Sequence, residues 1–311
     1  MNLVNDSEIE ELLLANVPID IYKVGIRQAH SHILEYELEY DLLELIERYN
    51  FDLSLIDTAV LEGLRKVGGG NLYALPSLVN NVRLYYNPDI FDRFGEEYPL
   101  GEMTWEELIQ LASRLTLEED GKQFRGLIVD YGFYFRHNQL SAPFVDSKTD
   151  EVQFMNDEWQ QIVDNLATIY QLPGYEDIVG ESPAYQYNEL WRGEQTVAMA
   201  IAPFLISHEW LEWGISYDIG VMPTFEKRPG VGSQPIPDFN GVASISQHKD
   251  EAFQVLAYLH SPQFQNQWAR NGVGVALAIR KCEKRSVKMR LRSKGRMSTI
   301  FTQMNTHLCT S

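Results

Sequence analysis

Two short apolar segments with a polar turn between them indicate the architecture of this chain most directly. They are Asn71-Leu-Tyr-Ala-Leu-Pro76 and Val82-Arg-Leu-Tyr-Tyr-Asn-Pro-Asp-Ile-Phe-Asp92. Runs rich in aromatic and aliphatic residues that end at Pro or Asn are typical of strands. The two segments therefore predict strands over 72–76 and 82–87.

Five further segments of the chain have the same character. Each is short, apolar or alternating, and ends at or near Gly, Pro or Asn, so each predicts a strand. They are 20–25, 125–132, 196–203, 217–223 and 241–246.

The helices have clearer sequence signals than the strands. Thr104 is followed three residues later by Glu107, a capping box, and apolar residues then recur at helical spacing. Helices are also predicted after Asn156, Asp57 and Asp250, at Glu8–Ala15, and from Ser261-Pro262 to Asn271-Gly272. Strands separated by helices indicate an α/β fold with crossover connections.

Composition and charge exclude several classes of protein. The 311 residues are 44% hydrophobic and 23% charged, as in globular proteins. We find no run near the roughly 18 apolar residues that a membrane helix needs. The formal net charge is −18, which argues against nucleic-acid binding, since phosphate recognition needs a basic surface.

The positive charge is concentrated in the last 32 residues. Residues 280–311 contain nine of the 26 Lys and Arg residues and one of the 44 acidic residues, a net charge of +8 against −26 for residues 1–279. Both cysteines, Cys282 and Cys309, lie in this tail, so no disulfide framework is predicted for the acidic body. The tail is interpreted either as a solvated basic extension or as a product of a shifted reading frame after Ala278.

Several motifs, in a fixed order, resemble a known family. The two opening segments belong to this set, as does Met103-Thr-Trp-Glu-Glu-Leu108. The remaining motifs are Trp191-Arg-Gly-Glu-Gln-Thr-Val-Ala-Met199, Tyr217-Asp-Ile-Gly-Val-Met-Pro223 and Asn240-Gly-Val-Ala-Ser-Ile245. In order and spacing, over roughly residues 8–278, the chain resembles the extracellular solute-binding proteins of ABC sugar importers, the maltose-binding-protein-like group.

The resemblance implies a two-lobed α/β fold of the type II periplasmic-binding-protein kind, with hinge strands and the ligand held between the lobes. It implies a first lobe from residues 1–80 and 239–278, a second from 81–238, and an atypical tail over 279–311. The family pattern leads us to expect a fold incomplete at both ends. It also implies an extracellular or periplasmic, lipid-anchored monomer that delivers a mono- or oligosaccharide to ABC permease subunits, with no cofactor and no catalysis. No secretory signal is expected in the chain as written, because a polar stretch follows Met1.

Sugars need polar side chains for their hydroxyl groups and aromatic rings for their C–H faces. The segments that follow the predicted strands supply both kinds of residue. The candidates are Arg27, Gln28, Asn80, Tyr131, Phe133, Tyr134, Phe204 and Asn240. The resemblance places the Tyr131–Phe135 aromatic residues in the family's stacking loop, and Phe204 where relatives often carry Trp.

Several alternatives stay open at this point. Each candidate could instead be an ordinary core or surface residue, and Asn240-Gly241 could be only a turn. His30 and His32 lack a third metal ligand at suitable spacing, so no metal is expected. The chain could bind another solute, such as a peptide or polyamine, could be a glycan-active enzyme with two facing carboxylates, or could be a non-functional fragment.

Overall fold

The computed structural model describes residues 2–25, 31–146, 148–203, 214–270, 288–293 and 296–301. These residues divide into two compact units. The first contains the described residues up to 80 and those from 235 to 270. The second contains residues 81–234, apart from the undescribed ones, and the last two strands. The chain thus passes into the second unit after Asn80 and returns after Gln234.

The strands are short and are numbered along the chain. They are β1 (Leu3–Asn5), β2 (Ile21–Gly25), β3 (Leu75–Asn80), β4 (Val82–Tyr86), β5 (Leu117–Glu119), β6 (Lys122–Val129), β7 (Val197–Pro203), β8 (Asp218–Ile219), β9 (Ile236–Val242), β10 (Lys288–Ser293) and β11 (Arg296–Phe301). Among the described residues, β10 and β11 pair only with each other, as an antiparallel hairpin that the sequence did not predict.

The helices lie between the strands for most of the chain. They are α1 (Ile9–Leu14), α2 (Leu43–Arg48), α3 (Thr58–Val67), α4 (Pro88–Phe94), α5 (Trp105–Arg114), α6 (Tyr131–Arg136), α7 (Asp157–Tyr170), α8 (Pro183–Tyr185), α9 (Lys249–Leu259) and α10 (Pro262–Arg270). Two 3-10 turns, Asp6–Glu8 and Leu53–Leu55, and two π-helical segments, Ser31–Glu35 and Gln186–Glu194, complete the set.

The first unit is built on a four-stranded sheet in the order β1-β2-β9-β3. β1 runs parallel to β2, and β9 runs antiparallel to both of its neighbours. Because side chains alternate along a strand, Tyr22 and Phe239 pack on one face, and Ile21 and Val242 pack on the other with Phe253 of α9. Both faces of this sheet are therefore covered by core.

The second unit is built on a five-stranded sheet in the order β5-β6-β7-β4-β8. β6 and β7 are parallel, and the other neighbouring pairs are antiparallel. α5 packs closely on β6, and a Cβ added at Gly126 would overlap the backbone of Ala112. Glycine at this position lets the helix and the strand approach.

The strands confirm the predicted α/β class, with shifted boundaries. The segment predicted over 72–76 forms β3 at Leu75–Asn80, and the one predicted over 241–246 forms β9 at Ile236–Val242. Asn240-Gly241 is therefore part of a strand, not a turn. The predicted strand 125–132 ends at Val129, and the aromatic residues after it form α6.

The helices agree more closely with the sequence. Thr104 accepts a hydrogen bond from the Glu107 amide, and the Glu107 carboxylate accepts one from the Thr104 amide at 2.8 Å, so the predicted capping box is confirmed. Asn156 caps α7 through the Trp159 amide. The predicted helical stop at Asn271-Gly272 lies outside the described residues.

Candidate functional site

The carboxyl end of β6 in the second unit leads directly into the aromatic helix α6. Asp130 begins this helix, because its Oδ1 accepts a hydrogen bond from the Phe133 amide at 3.1 Å. The Asp130 amide donates to the Ile201 carbonyl of β7 at 2.8 Å. Parallel strands bring their carboxyl ends to one edge of a sheet, the edge at which open α/β sheets bind ligands. Asp130 and Tyr131 therefore lie where a ligand site is expected.

The carboxyl group of Asp130 is only partly hydrated. Burial raises its pKa, and this effect exceeds the opposing effects of the Phe133 and Gly132 amides and of the Arg136 charge. The Tyr187 hydroxyl donates to the Ile201 carbonyl at 2.8 Å, so a second aromatic side chain supports the same edge. A partly desolvated carboxylate gains from donors such as ligand hydroxyl groups.

Two of the predicted aromatic residues keep accessible surface next to Asp130. Tyr131 is 36% exposed. Phe133 is half-buried and stacks on His137, with 5.8 Å between ring centroids. The exposed ring of Tyr131 is therefore available to the C–H face of a sugar.

Tyr134, by contrast, is a core residue. It is only 3% exposed and meets Trp105 edge-on, with 5.1 Å between ring centroids. Burial raises the pKa of its hydroxyl, which receives a hydrogen bond from Asn165 at 3.5 Å. Tyr134 stays a predicted contact, and its burial beneath helix α5 argues against that role.

Asn80 and Asn240 lie on the two strands by which the chain leaves and re-enters the first unit. Asn80 is half-buried at the end of β3, opposite Ile236 of β9. Asn240 is 4% exposed, and its Oδ1 has no hydrogen-bond partner among the described residues. Asn240 is thus enclosed within the sheet and does not present its side chain to a ligand here.

The other predicted contacts cannot be placed. Arg27, Gln28 and Phe204 lie outside the described residues. So does His30, which was considered with His32 as a metal ligand. Among the described residues, no three His, Cys, Asp or Glu side chains come together as a metal ion would require.

The structure adds a charged pair that the sequence did not point to. Lys23 of β2 and Asp238 of β9 form an ion pair at 3.3 Å, and both side chains are partly buried. Asp238 lies opposite Gly25, at the carboxyl end of β2. Local patterns could not find this pair, because more than 200 residues separate its members.

Two carboxyl groups of the second unit have pKa values raised by burial, Asp130 and Asp218. Asp218 lies on β8, and strands β7 and β4 separate β8 from β6. Three strand spacings of roughly 4.8 Å separate the backbones of β6 and β8 by about 14 Å. The two groups are also offset along the strands, since Asp218 pairs with Tyr86 while Asp130 lies beyond the end of β6. Glycosidase carboxylates lie about 5 to 9.5 Å apart, so these two do not form the pair that a glycan-active enzyme would need.

Known structures share this fold. A sugar transporter from Rhizobium etli in an open conformation aligns with a TM-score of 0.67 at 19% identity, over 87% of this chain and 70% of that one. An ABC substrate-binding protein from Listeria monocytogenes in complex with cycloalternan aligns with a TM-score of 0.67 at 18% identity, over 87% of this chain and 69% of that one. A maltose/maltodextrin-binding domain from Bdellovibrio bacteriovorus bound to maltotriose aligns with a TM-score of 0.61 at 17% identity, over 87% of this chain and 70% of that one. The fold is that of the type II periplasmic-binding proteins, as predicted.

A family match covers most of the chain. Residues 18–266 match the bacterial extracellular solute-binding proteins. No helix in the described parts of the chain combines the length and the apolar character needed to cross a membrane. The chain belongs to the family of bacterial extracellular solute-binding proteins.

Proposed function

We propose that this protein binds a mono- or oligosaccharide outside the cell and delivers it to the permease subunits of an ABC importer, without converting it chemically. The family supports the role in solute binding. The relatives bound to cycloalternan and to maltotriose support a carbohydrate as the class of solute. Attachment to the membrane by a lipid, a monomeric state and closure of two lobes on the ligand belong to the same proposal.

One local arrangement of side chains favours a sugar as the ligand. Asp130, partly desolvated, lies directly beside the accessible ring of Tyr131 at the carboxyl ends of β6 and β7. A carboxylate accepts hydrogen bonds from hydroxyl groups, and an aromatic ring packs against the apolar face of a pyranose. This pairing suits a neutral polyol better than an anionic or purely apolar solute. A cationic solute could use the same two groups, so the carbohydrates bound by the related structures are what favour a sugar.

The site that we propose combines these two residues with predicted contacts. Phe133 would extend the aromatic surface beside Tyr131. Asn80, Arg27, Gln28 and Phe204 stay candidates on the strength of the family pattern. Tyr134 and Asn240 are left out, because both are buried.

Isothermal titration calorimetry with glucose, maltose, maltotriose and a cyclic oligosaccharide tests the proposal. We expect at least one saccharide to bind, and Tyr131→Ala to weaken its binding about fivefold or more, since stacking contributes about 1 kcal/mol beyond the buried area. Tyr185→Ala is the matched control, because Tyr185 is also an exposed tyrosine of the second unit. Binding of a peptide or polyamine and of no saccharide would overturn the proposal, as would hydrolysis of the bound sugar.

A further inference from the structure

Exposed apolar side chains collect on the segment that joins α6 to α7 in the second unit. Phe154 is 49% exposed, and Met155 is 99% exposed. Phe144, Val145 and Val152 are exposed as well. The segment folds back on itself, since Val145 and Val152 form an antiparallel bridge. Single exposed apolar residues are normal, whereas a group of them held together indicates a binding surface.

Three aromatic rings form the centre of this surface. The ring centroids of Phe144 and Phe154 lie 5.6 Å apart. Both rings contact Trp159 of α7, at 4.8 Å and 5.4 Å between centroids. Trp159 is itself buried, so it supports the two phenylalanines from the core side and leaves part of each ring accessible.

Hydrogen bonds hold this surface in place. The Trp159 indole N–H donates to the Pro143 carbonyl at 2.9 Å. The Gln153 amide donates to the Phe144 carbonyl at 3.0 Å. A surface that is fixed before binding loses little conformational entropy when a ligand arrives, so the two phenylalanines are preorganised for contact.

The same surface is continuous with the exposed ring of Tyr131. Tyr131 and Phe135 are four positions apart on α6, so they lie on the same side of that helix, about 6 Å apart along its axis. Phe135 is half-buried, and its ring centroid lies 6.1 Å from that of Trp159. Accessible aromatic surface thus extends from the Asp130–Tyr131 edge over more than the width of one sugar ring. We call this set the aromatic strip: Tyr131, Phe135, Phe144 and Phe154.

Carboxylates accompany the strip at its outer end. Glu151 and Asp157 are exposed, three positions before and three positions after Phe154. Carboxylates accept hydrogen bonds from hydroxyl groups, and aromatic faces pack on the C–H groups of a sugar. The outer end therefore offers the same two kinds of group as Asp130 and Tyr131 do.

Charge argues against a second copy of this chain as the occupant of the strip. Residues 1–279 carry a formal charge of −26, so two copies repel each other. Continuity with Tyr131 favours instead a longer form of the ligand that binds there, rather than a separate peptide partner.

We propose that the aromatic strip binds the outer units of a long oligosaccharide whose inner end lies at the Asp130–Tyr131 edge, so that affinity rises with chain length. This inference rests on the proposed function, because that function assigns a saccharide to the edge. It adds the size of the ligand, since a monosaccharide is too short to reach Phe154.

Calorimetry with maltose and with maltoheptaose tests the strip. We expect the wild type to bind maltoheptaose at least about tenfold more tightly than maltose, since each aromatic stacking contact accounts for about fivefold. Phe154→Ala should weaken maltoheptaose binding about fivefold and leave maltose binding unchanged. Tyr185→Ala is the control, because Tyr185 is an exposed tyrosine of the same unit outside the strip, and it should bind both sugars as the wild type does.

The outcomes separate this inference from the proposed function. Binding of both sugars with equal affinity by the wild type would overturn the strip alone. An unchanged affinity of Phe154→Ala for maltoheptaose would do the same. Absence of binding by any saccharide would overturn the proposed function together with the strip.

Two measurements on the wild type need no variant. Hydrogen exchange should show that maltoheptaose, but not maltose, slows exchange of the amides around Phe144 and Phe154. Equal protection by both sugars, or none by either, would refute the strip. Light scattering shows whether the chain is a monomer: a dimer that Phe154→Asp dissociates would assign this surface to self-association and would also refute the strip.

Discussion

Glycine is required at one point of contact between a helix and a strand. Substituting Gly126 with alanine would place a methyl group in the backbone of Ala112, so α5 must move away from β6. We expect Gly126→Ala to destabilise the protein by about 3 kcal/mol or more, as overpacking of a core does. Thermal and urea unfolding measure this. Gly63→Ala is the control, because Gly63 is exposed on α3 with free space around it, and it should add up to about 1 kcal/mol.

Single residues show where prediction from sequence ends. Tyr131 and Tyr134 have the same chemistry and lie three positions apart, so both were predicted from the sequence to contact a ligand. What separates them is Trp105, which covers Tyr134 from a helix that begins 29 residues earlier. Asp130 was within reach of the sequence, since an Asp directly after a buried strand is a common helix cap. Burial by residues distant along the chain carries no local signal.

At the level of elements, a hydrogen-bonded glutamine joins three segments of the second unit. Gln139 is buried and accepts from the Trp105 indole at 2.9 Å. It also donates to the Pro223 and Val231 carbonyls, each at 2.7 Å. Gln139→Leu would leave these groups unpaired, so we expect a loss of about 3 kcal/mol in unfolding free energy. Gln160→Leu, on the exposed side of α7, should cost far less. Equal losses of unfolding free energy in the two variants would contradict the role of Gln139 in joining these segments.

The helices and strands differ in how far the neighbouring residues in the sequence determine where they begin and end. The capping box of α5 was predicted to the residue, since both of its hydrogen bonds are made within four positions. β9 was predicted five residues too late, because Pro235 and Pro237 disfavour a strand. Its place is fixed instead by β2 and β3, and the Tyr22 ring fills the space beside Gly241. Strand boundaries set by pairing across the chain are not readable from one segment.

We expect the net charge of the whole molecule to limit its stability. Residues 1–279 carry a formal charge of −26, and several of their ion pairs, such as Arg48 with Glu44 and Arg93 with Asp120, lie at the surface. Exposed pairs contribute at most about 1 kcal/mol each. Repulsion among the excess carboxylates acts over the whole surface and favours expansion of the chain. We therefore expect net repulsion to outweigh the pairs.

The effect of salt on Tm shows which of the two contributions is larger, because salt weakens both the repulsion and the ion pairs. If repulsion dominates, raising NaCl from about 0.02 M to about 0.5 M shortens the screening length severalfold and raises Tm. A Glu62→Gln, Glu176→Gln, Glu189→Gln triple variant, which removes three exposed carboxylates, should start at a higher Tm and respond less to salt. The same substitutions do not touch the Asp130–Tyr131 edge, so saccharide affinity should stay unchanged. A Tm that falls with salt in the wild type would mean that the surface pairs dominate after all.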